Sequence, residues 1–309
     1  MTQPSVTRTP HEVLRRLELT VTRRLDGLLQ GDYRGLVPGH GSEPGEAREY
    51  QPGDDVRRID WNVTARTITP YVRESIADRE LETWLLIDQS ASLDFGTADH
   101  EKRDLAVEAA AAVGFLTARG GNRIGAVLLQ PGLPAVTVPP RSGRIHLMAI
   151  LHKVLDAPRF EGAGPTDLAA GIQRIGASLR RRGLAVVISD FLGHDGWELP
   201  LRRLSLRHEV LAIEVVDPRE LELPDVGMLE LIDPETGRMR TVQTADAGLR
   251  TRYAAAAEEQ RAEIAEALRA AGAGHLQLRT DRDWLRDMVS FVVLRRRMAN
   301  GATRVGISS

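Results

Sequence analysis

Apolar and polar positions change their rhythm near residue 81. Before it, Leu14, Leu17, Val21, Leu25 and Leu28 recur at three- and four-residue steps with arginines between them, which predicts a helix over 10–30, stopped by Gly31. A loop rich in Gly, Pro and charge follows to Gly53, overlapping a polar segment, Arg48–Glu74, that reads REYQPGDDVRRIDWNVTARTITPYVRE. From Leu81 onward, short apolar runs alternate with helix-length stretches. Strands are predicted at 84–87, 124–129, 134–138, 184–189, 210–215 and 275–278. Helices are predicted at 99–119, 144–155 (Ile145, Met148, Leu151, His152 and Leu155 on one face), 166–182, 197–206, 246–271 and 281–297. Asp233-Pro-Glu-Thr-Gly237 is turn chemistry between apolar runs and predicts a hairpin over 228–242.

Strands alternating with helices of this length imply an α/β fold: a doubly wound, mainly parallel sheet covered on both faces. The organisation expected is a small N-terminal helical and β-containing region over 1–80 and the sheet domain over 81–309. Only the last few residues read as disordered.

In such a sheet, ligands bind outside the carboxyl ends of the strands, so the polar residues just after each apolar run carry the information. After the first strand stand Asp88, Ser90 and Ser92, in LLIDQSASLDFG. Asp190 follows the strand 184–189, and Thr166 stands at a predicted helix start in GPTD. Each residue alone is an ordinary cap or turn former. Together they offer two carboxylates and three hydroxyls, an oxygen-only set that suits a hard cation such as Mg²⁺, Mn²⁺ or Ca²⁺ rather than zinc or copper. Neutral hydroxyl ligands leave the metal positive enough to attract an outside carboxylate. Asp94 and Asp167 lie close by in sequence as candidate outer-shell groups, and the simpler reading of each is an exposed, solvated carboxylate.

The pattern Asp-x-Ser-x-Ser, then Thr, then Asp resembles the metal-ion-dependent adhesion site of von Willebrand factor A domains. That resemblance covers about 81–280 and makes Asp88, Ser90, Ser92, Thr166 and Asp190 the metal-binding residues. The preceding GDDVRRIDWNVTAR, with Arg48-Glu-Tyr50, resembles bacterial domain-of-unknown-function family 58, whose members join a short N-terminal region to an A-type domain. That likeness implies a non-enzymatic adaptor, partner of a MoxR-type AAA+ ATPase and its client. In the Arg48–Glu74 segment, Arg48, Arg57, Arg58, Arg66 and Arg73 alternate with Glu49, Asp54, Asp55, Asp60 and Glu74. The simpler reading is an internally paired network anchored by Ile59 and Trp61, and the sharper one a partner surface.

Composition narrows the alternatives. Apolar residues make up 42% and aromatics 4%, so the core is built from Leu, Val, Ile and Ala. The formal net charge of −2 favours neither nucleic acid nor an anionic membrane. No cysteine is present, which removes disulfides, thiolate metal sites and cysteine nucleophiles. No signal-like apolar segment or run of 18 apolar residues occurs, so the expectation is a cytoplasmic protein without direct membrane insertion; extracellular adhesion ranks low for that reason.

The rival enzyme is an Mg²⁺-dependent phosphatase of the haloacid-dehalogenase type. It requires a second Asp two residues after the first, where this chain has Ser90, and a lysine, of which only Lys102 and Lys153 exist. No phosphate-cradling Gly motif is present, and no serine sits in a nucleophile elbow. Histidines such as His100, His146, His152 and His275 read as structural or surface residues.

Overall fold

The computed structural model describes residues 10–29, 47–51, 56, 59, 61–67, 69–73, 82–97, 100–118, 121–160, 164, 166–193, 196–234 and 236–305. The stop at Gly31, the Gly-rich turns near residue 40 and the last four residues lie outside them.

Six strands form the central sheet, in the order β10–β7–β6–β3–β4–β5. They are β3 (Glu82–Asp88), β4 (Arg123–Leu129), β5 (Val136–Arg141), β6 (Leu184–Ser189), β7 (Glu209–Val216) and β10 (Gly274–Arg279). All neighbours pair in parallel except β4 with β5. β5 contains Pro139-Pro140, which cannot donate to a ladder, and it takes the sheet edge, where that deficit costs least. From β3 the chain winds outward to β4 and β5, then returns to β6 on the other side of β3. The switch in winding therefore lies between β3 and β6, where open α/β sheets bind ligands.

Strand alternation divides the core into two layers. Leu85, Ile87, Ala126, Leu128, Val186, Ile188 and Ile213 face one side and pack α1 (Pro10–Leu29), α3 (Lys102–Ala118), α4 (Arg144–Leu155) and α9 (Trp284–Val305). Trp84, Leu86, Val127, Leu129, Ala185, Val187 and Ala212 face the other side. They pack α5 (Leu168–Ser178), α6 (Glu198–Ser205) and α8 (Ala247–Ala270). β3 and β6 carry the apolar runs Trp84–Ile87 and Leu184–Ile188 because both of their faces are covered. Ala109–Ala112 on α3 are wholly buried, their small side chains letting that helix lie close to its neighbours.

The N-terminal elements are smaller. β1 (Ala47–Glu49) pairs antiparallel with β2 (Tyr71–Arg73), and α2 (Trp61–Thr67) lies between them. Leu14, Leu17 and Val21 bury α1 into the same layer as α3, α4 and α9, while Arg24 bonds Asp283 at 2.5 Å just before α9. Trp61 corrects an expectation: it is 71% exposed, because it opens α2 on that short helix's outer side. Buried Val72, bridged to half-buried Ile59, anchors the region instead. Most of the expected charge network between Arg48 and Glu74 lies outside the described residues. Ile145 is likewise solvent-exposed rather than part of the α4 core face. The hairpin is present as β8 (Met228–Ile232) and β9 (Met239–Gln243), and a short α7 (Pro218–Leu221) precedes it. No helix among the described residues is long and apolar enough to cross a membrane.

Candidate functional site

β3 ends on Asp88, and the chain then turns through Gln89 and Ser90 into one turn of 3₁₀ helix, Ala91–Asp94. The turn is closed from within: Asp88 Oδ1 accepts the Ser90 backbone N–H at 2.9 Å. The same oxygen accepts the Thr166 hydroxyl at 2.8 Å, and Oδ2 accepts the Ser189 hydroxyl at 2.7 Å. Three elements (the β3 loop, the residues before α5 and the last residue of β6) thus meet on one carboxylate. Asp88 is buried and bonds no cationic side chain among the described residues. Burial, and then the charge of Asp190, raise its pKa above the usual carboxylate value, opposed by these three hydrogen bonds.

Asp190, one residue beyond β6, has the opposite environment. Its Oδ2 accepts from the Lys102 ammonium at 2.8 Å and its Oδ1 accepts the Leu192 N–H at 3.1 Å; the nearby Ser92 hydroxyl also favours the charged carboxylate. Burial opposes the charge, but Lys102 outweighs it and holds Asp190 below the ordinary carboxylate range. Lys102 is wholly buried and also donates to Glu220. For its ammonium, too, burial is outweighed, by Asp190 and Glu220, and the pKa rises. The network continues through Arg261, which donates to the Asp190 carbonyl at 3.0 Å and to Glu214 and Glu220 at 2.9 Å each. His275 and Gln277 meet Glu214 at 2.8 and 3.1 Å. Phe191, next to Asp190, has a φ of 57°, uncommon for a side chain of this size. Its ring is buried edge-on against Trp197, centroids 5.2 Å apart.

Thr166 gives its proton to Asp88, and in the 2.9 Å contact between Ser90 and Ser92 either hydroxyl can be the donor. Each hydroxyl then keeps at least one lone pair free. Neutral oxygens with free lone pairs, beside a carboxylate that lacks a cation, fit a hard divalent ion. Among the described residues no group of three or more His, Cys, Asp or Glu could hold a metal, so such an ion depends on the hydroxyls. A cleft of about 570 Å³, lined by Glu220, Tyr253, Gln260 and Glu263 among others, shares Glu220 with the network and none of the five site residues.

Asp88, Ser90, Ser92 and Thr166 are therefore joined through hydrogen bonds, and Asp190 follows Ser189, whose hydroxyl bonds Asp88. Two neighbours divide. Asp167 is exposed as expected and caps α5, accepting from Ala170 N at 2.8 Å. Asp94 corrects its expectation: it is largely buried and paired with Arg103 at 2.9 Å, because the 3₁₀ turn carries it inward. Lys102 is the larger surprise, since the lysine sought for a phosphatase does lie in the site. Its nearest sequence signal is scarcity, two lysines in an arginine-rich chain. Ser189, Glu220 and Arg261 also escaped notice. Glu214, a charge inside the apolar run of β7, and Asp217-Pro-Arg-Glu220, a capping box, were readable signals. Among the histidines, His146 and His152 bond the Ile124 and Met148 carbonyls, as structural residues do.

Comparison with known proteins adds the family. A family model described as "Protein of unknown function DUF58" matches residues 46–263. An uncharacterized protein of Mycobacterium tuberculosis is 57% identical over 286 residues, covering 93% of this chain and 90% of its own length. One from Mycobacterium avium is 50% identical over 162 residues, 52% of this chain and 95% of that protein. Among solved structures, BatB from Bacteroides thetaiotaomicron is similar over 70% of this chain and 99% of that chain, at 14% identity and a TM-score of 0.45. The VWA domain of SpRpn10 is similar over 68% and 94%, at 13% and 0.39. These structural likenesses are low, and the architecture rests on the strand order itself. The family match runs from the start of β1 into α8, spans well over half of the sequence and contains every residue of the site, so the chain belongs to the family described as protein of unknown function DUF58.

Proposed function

We propose that this chain is a non-enzymatic adaptor that holds one divalent cation, Mg²⁺ or a similar hard ion, and through it captures a carboxylate on a partner protein. Asp88, Ser90, Ser92 and Thr166 hold the ion, with Asp190 reaching it directly or through water. The observation that carries the reading is the buried Asp88 carboxylate, bonded by hydroxyls and by no cation among the described residues. The metal supplies a positive centre with few anionic ligands, to which an Asp or Glu of the partner adds the missing charge. The partner named by the family resemblance is a MoxR-type AAA+ ATPase, acting with this chain on the assembly or maturation of a client protein. Cytoplasmic residence belongs to the same proposal.

Isothermal titration with Mg²⁺ alone, then co-purification with a MoxR-type ATPase with and without chelator, tests it. Binding that depends on metal and is lost in Asp88→Ala, with the circular dichroism unchanged, is the expected result. Partner binding that survives excess chelator removes the mechanism.

One observation favours the second reading, an Mg²⁺-dependent phosphatase: Lys102 lies beside Asp190. Against it, both partners of that ammonium are protein carboxylates and it has no exposed surface with which to meet a phosphoryl group. Ser90, in the place of the second Asp, is not an acid at neutral pH. Metal-dependent hydrolysis of a phosphate ester, lost in Asp88→Asn, would reverse this ranking.

A further inference from the structure

We infer that Lys102 is the residue that sets the affinity of the cation site: a built-in monocation that occupies Asp190 and keeps the divalent ion weakly held until a partner carboxylate arrives. The inference rests on the metal-site reading above and adds to it a residue outside the five. Lys102 is completely buried, 2.8 Å from one oxygen of Asp190, and bound through its other contact to Glu220. Arg261 fixes that geometry from behind by holding Glu220, Glu214 and the Asp190 carbonyl together.

A buried ion pair of this kind gives little stability over a well-packed apolar side chain. Its lasting effect is electrostatic. In this cluster four carboxylates (Asp88, Asp190, Glu214 and Glu220) face two permanent cations, Lys102 and Arg261, with His275 as a further contact of Glu214. Two negative charges are left over, the deficit that one divalent ion closes. Lys102 also decides where that deficit lies. By taking Asp190 Oδ2 it leaves Asp88 as the one carboxylate of the site without a cation, and it places a positive charge next to the ion's second acidic ligand. Repulsion between like charges at such separations, in surroundings of low dielectric, weakens metal binding by a factor of ten or more. The ion that does bind keeps more of its own charge for an outside carboxylate. Metal and partner should therefore bind cooperatively, each poorly without the other.

Isothermal titration of Mg²⁺ into the full-length protein and into Lys102→Met and Lys102→Met/Glu220→Gln tests this. The double variant removes one carboxylate along with the ammonium, so that the cluster's charge imbalance is not increased. Expected is Mg²⁺ binding at least about tenfold tighter in either folded variant. If the wild type binds Mg²⁺ and the folded variants bind it no more tightly, or less, Lys102 is a structural ion-pair partner and this inference is wrong while the metal site stands. If none of the three binds Mg²⁺, the metal-site reading falls and takes the inference with it. Should neither variant fold, the wild type still decides. With two lysines in the chain, lysine-selective ¹³C labelling gives two side-chain signals. The Lys102 Cε signal shifts on Mg²⁺ saturation and that of Lys153 does not; an unmoved Lys102 signal overturns the inference.

Discussion

At the scale of single residues, Asp88 and Glu108 are both carboxyl groups buried without a cationic partner among the described residues, and they differ in what surrounds them. Asp88 accepts three hydrogen bonds, and in the metal-free protein its charge still costs stability. Asp88→Asn should therefore raise the thermal midpoint of metal-free protein by a few degrees while abolishing any further rise on adding Mg²⁺; a lowered midpoint counts against the assignment. Glu108, on α3, has one side-chain oxygen buried without a partner. Burial, and then the charge of Asp104, push its pKa from 4.5 to about 7. A carboxyl raised in the folded state adds stability below its unfolded value and loses it as pH climbs to the folded one. Between pH 4.5 and 7 this group should cost up to about 3 kcal/mol. Urea unfolding at pH 5 and pH 8 checks it: Glu108→Gln should match the wild type at pH 5 and exceed it at pH 8. Asp88, Ser90, Ser92 and Asp190 stood out as candidates because they follow apolar runs at a sheet edge, and Thr166 because it opens a predicted helix. Lys102 was not, because it reaches the site across space from the start of a helix whose sequence reads as ordinary.

At the scale of elements, the position of Thr166 depends on how closely α5 approaches the sheet. Gly171, one turn into α5, allows that approach: a Cβ there would stand 2.8–2.9 Å from the side chains of Leu86 and Leu129. Gly171→Ala should push the helix outward, cost roughly 1–3 kcal/mol in chemical denaturation, and weaken Mg²⁺ binding although residue 171 touches none of the site. Unchanged metal affinity in a destabilised variant would uncouple α5 from the site. Periodicity located every strand of the central sheet, since runs such as Leu184–Ile188 are apolar throughout. It placed helix ends less well. α5 stops at Ser178 rather than running on through Arg180–Arg182, and Ile145, which fits a helical stripe by spacing, faces solvent. Neither hydrophobicity nor spacing says which side of a short helix finds a neighbour.

For the whole molecule, the point that matters is where the winding reverses. Alternation of strands and helices foretold a doubly wound sheet, but the order of the strands is a property of packing, and it is this order that puts β3 beside β6 and Asp88 near Asp190. Nor did the pattern reveal which face α1 would cover. It completes the layer of α3, α4 and α9, so Leu14→Ala should cost about 2–5 kcal/mol, as for a residue of the central core. A loss under 1 kcal/mol in urea unfolding would mark α1 as a peripheral attachment.

Phe191 joins these scales. A bulky residue held at positive φ stores roughly 1–3 kcal/mol of strain, and here no glycine relieves it; the aromatic contact with Trp197 holds the turn in place. The aim of the neighbouring carboxylate is thus inherited from the oily layer beneath α6. Its precision should fade with whatever loosens that layer, heat or urea, well before ionic strength disturbs it.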